Sequence, residues 1–281
     1  CMAAVLLGDK PYVIPPRPEA LIKISQLLKQ PEPDVDQIVA ALKADVSLYT
    51  AVLGAANMPI FGRGGKVTSL NQAVMRLGFK RLYTMISIDA LKSVLSRTGR
   101  LERFWDSATE VAALTASLAA KYTREDRDEA YALGMLHDCG IPLMMEAFPD
   151  YRSFLKDIRG NDLAALYSQE MKRYGHNHFA LSTEIAAGWF MPTAVCEALA
   201  LQTDYASALQ DKSVGSEAGK YLLCCLLLAK DISETYRHYW RINNPRTECQ
   251  NLKPVLEYLG IPDVDYLDIR EDYVATLEQI Q

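Results

Sequence analysis

Apolar residues recur at three- and four-residue spacing along almost the whole chain. Val111, Leu114, Leu118 and Tyr122 follow this rule with Thr115, and so does the run 79–95. Such spacing lays one apolar stripe along a helix. Helices are expected at 18–29, 34–44, 47–57, 69–78, 79–95, 102–121, 127–139, 142–147, 149–158, 161–174, 178–190 and 193–203. A long one follows at 217–238, with a short one near 272–281. Pro18 suits the head of a helix, where a missing N–H breaks no bond, and Pro31 and Pro33 make a break. Asp34 with Gln37, and Ser69 with Gln72, read as capping boxes. Residues 1–13 read as an extended lead-in, 58–65 as a loop and 204–219 as a flexible connection. No alternating run of Val, Ile and Thr is bounded by turn residues, so the expected fold is all-α. The polar stretch 96–100 is the expected boundary between two helical halves.

Composition narrows the class. With 281 residues, 49% hydrophobic and 23% charged, the chain is that of an ordinary globular protein with a sizeable core. The most apolar run, 221–229, is about half of the ~20 residues that span a bilayer, so it reads as a buried helix. With no secretory pattern visible, a cytoplasmic protein without membrane association is the default. A formal charge of −5, with only isolated pairs at Lys80-Arg81 and Lys172-Arg173, argues against nucleic-acid binding, which needs cations to displace phosphate counterions. The six cysteines form no CxxC and read as reduced thiols. Cys1 reads as a truncation remnant rather than a lipoprotein terminus.

One stretch stands out, 131–145, YALGMLHDCGIPLMM. It holds the only His-Asp dipeptide, His137 and Asp138, inside an apolar helical run. Such a pair is expensive to bury unless it binds something or each other. Around it lies an ordered series of blocks: Ile14-Pro15-Pro16-Arg17-Pro18-Glu19, Ala44 to Leu48, Leu53 to Asn57 with Phe61-Gly62, Ser69 to Gly78, Phe104-Trp105, Glu170 with Gly175 and His178, and Trp189 to Pro192. This series resembles the HDOD (HD-related output domain) branch of the HD superfamily of metal-dependent phosphohydrolases. The resemblance implies a multi-helical HD-like fold. An N-terminal helical half, 12–96, would pack on an HD-like half, 100–205, and 206–281 would be a helical extension completing the latter.

The superfamily site consists of a first His, the His-Asp pair, later His residues and a closing Asp, which together hold divalent metal. Here the first position is Ser107. The pair is His137 and Asp138, and a later His matches at His178. No His stands near Thr203-Asp204. The closing Asp falls at Asp231, although the family's Ala-Asp aligns with Ala229-Lys230. His137, Asp138 and His178, with Asp204 and Asp231, are therefore the candidate pocket residues. The first three are the candidate ligands of one weakly held divalent metal; no other cofactor is expected. The competing reading has His137 and Asp138 bonded to each other and to backbone.

The resemblance implies a regulatory module of bacterial signal transduction that binds a signalling protein in trans or a small ligand, rather than an enzyme. The alternative is a metal-dependent phosphohydrolase acting on a nucleotide or cyclic dinucleotide, and a third reading is an oligomeric scaffold exposing apolar residues on 217–238. Weaker signals take plain readings. Phe61 to Lys66 fails the P-loop pattern at Ile60 and Val67, and Asp263, Asp265 and Asp268 read as a solvated acidic segment. His176 reads as exposed, Cys139 as a core thiol, and Tyr236, Tyr239 and Trp240 as packing.

Overall fold

In a computed structural model, residues 10–58, 65–96, 101–158, 162–238 and 249–280 are described, and no strand occurs among them. The first half holds α1 (Glu19–Leu28), α2 (Val35–Lys43), α3 (Val46–Ala56) and α4 (Leu70–Leu95). Its caps are those read from the sequence. Asp34 accepts from the amides of Asp36 and Gln37, and Ser69 Oγ accepts from Gln72 N at 3.3 Å. Asp45 caps α3 in the same way, through Ser47 and Leu48. Gly78 breaks α4 with φ 70° and ψ 166°, a left-handed conformation natural to glycine, so the expected stop is a kink. Asn57 holds the ends of the following loop together by exchanging two side-chain hydrogen bonds with the backbone of Val67. Phe61 to Gly64, the polar boundary at Arg97 to Arg100, Cys1, Tyr239 and Trp240 lie outside the described residues.

The second half runs through α5 (Glu102–Tyr122), α6 (Arg127–Leu136), α7 (Ile141–Ala147), α8 (Tyr151–Asp157), α9 (Leu163–Tyr174), α10 (His178–Gly188) and α11 (Thr193–Leu201). Beyond it come α12 (Tyr205–Gln210), α13 (Glu217–His238), α14 (Lys253–Leu259) and α15 (Asp263–Ile280). Helix α13 packs against α5, α6 and α11, and Leu222 to Ala229 are buried without interruption. No large apolar residue is exposed on α13 among its described side chains, which removes the sign named for the scaffold reading. No single described helix is long and apolar enough to cross a membrane.

The C-terminal third departs from expectation. The segment read as flexible contains α12, whose Ala208 and Leu209 are buried and which packs on α14. The segment read as solvated and acidic is the start of α15. Asp263 and Asp265 fall in its first turn, where the helix dipole favours carboxylates. Tyr266, Arg270 and Val274, four residues apart, form its buried stripe. An arginine in that stripe hides the apolar period from a reading by hydrophobicity.

The halves meet where α4 packs on α6. Lys80 reaches Asp126 and Glu129, each at 2.8 Å, and Arg81 reaches Asp128 at 2.7 Å. The lead-in also bridges them. Lys10 pairs with Glu184 at 2.8 Å, and Trp189 Nε1 donates to Pro15 O at 3.0 Å. Arg17 donates to the Tyr83 hydroxyl.

Gly134 sets the spacing of α5 and α6, because a Cβ there would lie 2.3 Å from Ala112 Cα. Gly134→Ala should therefore lower thermal stability by roughly 1–3 kcal/mol, as overpacking does. Gly54→Ala, in α3 with nothing within 4 Å of the new Cβ, should be neutral or stabilising by up to about 1 kcal/mol. Thermal denaturation of both variants checks the pair, and equal melting points would contradict the close approach.

Candidate functional site

Helix α6 ends at Leu136, and His137 to Gly140 form the turn into α7. Gly140 N donates to Ser182 Oγ at 2.9 Å, and a Cβ on Gly140 would fall 2.2 Å from the carbonyl oxygen of His178. Glycine thus lets the turn lie directly on the first turn of α10. That contact brings Asp138 beside His178, which follows the N-cap Asn177.

His178 is 1% exposed. Its Nδ1–H donates to Glu170, 2.7 Å from Oε1, and its backbone N–H donates to Glu170 Oε2 at 3.2 Å. Glu170 is fully buried on α9 and also accepts from the Tyr151 hydroxyl on α8. Burial and the Glu170 charge push the Tyr151 phenol upward, so it remains a donor. His178 Nε2 then points at Asp138 Oδ1, 3.6 Å away. Burial works against a charged His178, yet hydrogen bonding and attraction to Asp138 and Glu170 raise its pKa above the ordinary 6.5.

His137 donates from Nδ1 to Gly134 O at 2.7 Å, and its Nε2 lies 3.2 Å from Asp138 Oδ2. The mutual and backbone bonding named as the competing reading is therefore present. Lys230, from α13, brings its ammonium 3.6 Å from Asp138 Oδ1. That oxygen is buried without a hydrogen-bond partner. Burial alone would raise the Asp138 carboxyl; the charges of His137 and Lys230, helped by both imidazoles, hold it well below the usual carboxylate range. Gln202 donates to His137 O at 3.4 Å, leaving its own Oε1 buried and unbonded.

Of the five candidate residues, His137, Asp138 and His178 converge. Asp204 is exposed on the turn after α11. Asp231 faces α15, accepting from Tyr266 at 2.5 Å and from Arg270 at 3.4 Å, because its neighbour Lys230 takes the direction toward the pair. Ser107 is half-buried on α5. His176, read as exposed, is half-buried, edge-on to Tyr12 and stacked on Phe148. The Cys139 thiol is buried and pushed up to about 12, which fits a core cysteine. Lys230, Tyr151 and Gln202 carry no motif of their own. Only the Ala229-Lys230 register pointed to the lysine.

The donor set has part of a metal site's design. Both imidazoles are oriented through Nδ1, as second-shell partners orient metal-bound histidines. Yet the Lys230 ammonium faces the one carboxylate they surround. A divalent ion there would meet a like charge. These residues do not fit a metal while Lys230 is in place.

The raised His178 makes the site pH-sensitive with a defined sign. Its stabilising contribution is complete below about 6.5, its unfolded value, and is lost as pH rises through its higher folded value. Imidazole resonances followed by NMR should give a His178 midpoint above 6.5 in the wild type. In Glu170→Gln the midpoint should fall and stability should drop by about 1–3 kcal/mol. A wild-type midpoint at or below 6.5 would refute the assignment of partners.

Comparison with known proteins bears on the fold. An uncharacterized protein from Treponema pallidum (strain Nichols) is 24% identical over 195 residues, which are 68% of this chain but 38% of that protein. The chain thus spans well under half the length of that relative. An HDOD domain protein from Geobacter sulfurreducens superposes with a TM-score of 0.67 at 18% identity, covering 95% of this chain and 91% of that one. A candidate phosphohydrolase from Shewanella amazonensis SB2B gives 0.65 at 21% identity, covering 94% and 90%. These likenesses establish the all-helical HD-like fold. The HDOD domain family profile matches residues 14–205, and the chain belongs to the HDOD family.

Proposed function

We propose that this chain is a regulatory module of bacterial signal transduction that works by binding and not by catalysis. Its partners would be a signalling protein in trans or a small ligand, met in the cytoplasm rather than at nucleic acid or membrane. The observation that carries the reading is the Lys230 ammonium 3.6 Å from Asp138 Oδ1. Metal-assisted hydrolysis needs an open cation position that activates water, and here a covalently tethered cation faces the carboxylate. Ser107, and the stretch near Thr203-Asp204, where the family resemblance expects histidines that this sequence lacks, support the same reading. A structural solved relative, from Marinobacter aquaeolei VT8, is a candidate signal transduction protein (TM-score 0.60, 19% identity), and it lends the fold precedent alone.

The rival phosphohydrolase reading draws on the two Nε2 atoms that face Asp138 with their Nδ1 atoms anchored. Elemental analysis of protein purified without chelator separates the two. The regulatory reading expects iron, manganese and zinc well below one equivalent and no phosphate release from nucleotides. Stoichiometric metal, lost in His137→Ala or His178→Ala, would establish the rival. On the regulatory reading, Lys230→Asp should bind manganese about tenfold or more tighter than the wild type, on the scale by which changes around a metal shift affinity. Unchanged affinity in that variant would mean that Lys230 does not block the site.

A further inference from the structure

Helix α10 ends in a Schellman motif. Met191 N donates to Ala186 O and Phe190 N to Ala187 O, each at 3.0 Å, the paired bonds of that cap. The position after the cap takes a left-handed backbone, for which glycine is the usual residue. Here it is Phe190, with φ 56°, the one non-glycine residue at positive φ in the described structure. A bulky side chain is strained in that region. The strain is not offset by burial, because Phe190 is 63% exposed.

The ring stands beside a cavity of about 280 Å³ formed by α1, α4 and the α10–α11 turn, across the seam between the halves. That volume is close to the low end of the roughly 300–1,000 Å³ typical of small-molecule pockets, which favour such seams. Leu28, Phe79, Tyr83 and Pro192 line it together with Phe190, and no carboxylate does. Arg17 lies over the Phe190 ring at 4.2 Å, and Lys29 lies 5.8 Å from its centroid. Neither cation has a carboxylate partner among the described residues, whereas Lys80 on the same wall is neutralised by Asp126 and Glu129. Two cations without a carboxylate partner among the described residues, beside a projecting aromatic ring, are the complement of one ligand class.

We infer that this pocket binds a small anion carrying a flat ring, the ring against Phe190 and the acid group paired with Arg17 and Lys29. The assignment rests on the regulatory reading, to which it supplies a ligand site remote in sequence from His137 and Asp138. An aromatic carboxylate and a nucleoside monophosphate share this chemistry, so both serve as probes.

Isothermal titration of the full chain with 1-naphthoate and with adenosine 5′-monophosphate is the test, with adenosine and inorganic phosphate as half-ligands. At least one ring-bearing anion is expected to bind saturably, and neither half-ligand comparably. Naphthoate alone would assign a carboxylate, the nucleotide alone a phosphate. Binding should weaken tenfold or more in Arg17→Ala and in Phe190→Gly. The melting temperature of Phe190→Gly should equal or exceed that of the wild type, since glycine relieves the left-handed strain, so a lost signal there cannot be blamed on unfolding. Absence of saturable binding by both anions, or binding unchanged in both variants, would overturn the inference. Phosphate release from the nucleotide by the same samples would instead overturn the non-catalytic reading.

Discussion

A single carboxylate, Asp138, governs the middle of this molecule. A half-buried carboxylate with one oxygen sealed from water is tolerable only when opposite charge and hydrogen bonds replace the water that oxygen has lost. Asp138 obtains that compensation from separate parts of the chain: His137 beside it, His178 at the start of α10 and Lys230 on α13. The arrangement demands that the turn after α6 touch α10, and only glycine at 140 allows the contact. Glu170 and Tyr151 then hold His178 in place, which ties α8 and α9 to the same centre. The helices are arranged so that one charge is never left alone.

A tethered ammonium differs from a metal ion in ways that matter for the site. It cannot be exchanged, it coordinates no water, and it supplies one charge on a flexible four-carbon stem. The imidazoles keep the orientation that would suit a metal, yet their Nε2 atoms now surround an ion pair. The lysine comes from residue 230, beyond the stretch 14–205 that the family profile matches. The cation on which the proposed non-catalytic role rests therefore lies outside the segment that identifies the family.

Much of the fold was legible because helices announce their period and their caps. Asp34, Ser69 and Gly78 act where the sequence placed them. Legibility failed where a buried stripe contained a charged residue, as with Arg270 in α15, and where short elements such as α12 and α14 owe their existence to packing on one another. At the site, the His-Asp pair and His178 were readable as a motif. Lys230 was not, because adjacent positions on a helix point about 100° apart, and nothing local tells whether residue 230 or 231 faces inward. Phe190 was hidden for a related reason. A left-handed cap is read from glycine, and no glycine is there.

The lead-in strap has a consequence for the order of events at synthesis. Pro15 accepts its hydrogen bond from Trp189, and Lys10 meets Glu184, in both cases 174 positions along the chain. Helices α1 to α4 can form early, but their leading edge has nothing to close against until α10 has been made. At roughly 5–20 residues per second on a ribosome, that wait is on the order of ten seconds or more. During that time the apolar side chains of the strap, Tyr12 and Ile14, lack the second half they pack against. The seam cannot close until α10 has been made, and a nascent chain halted before α10 would carry this segment uncovered.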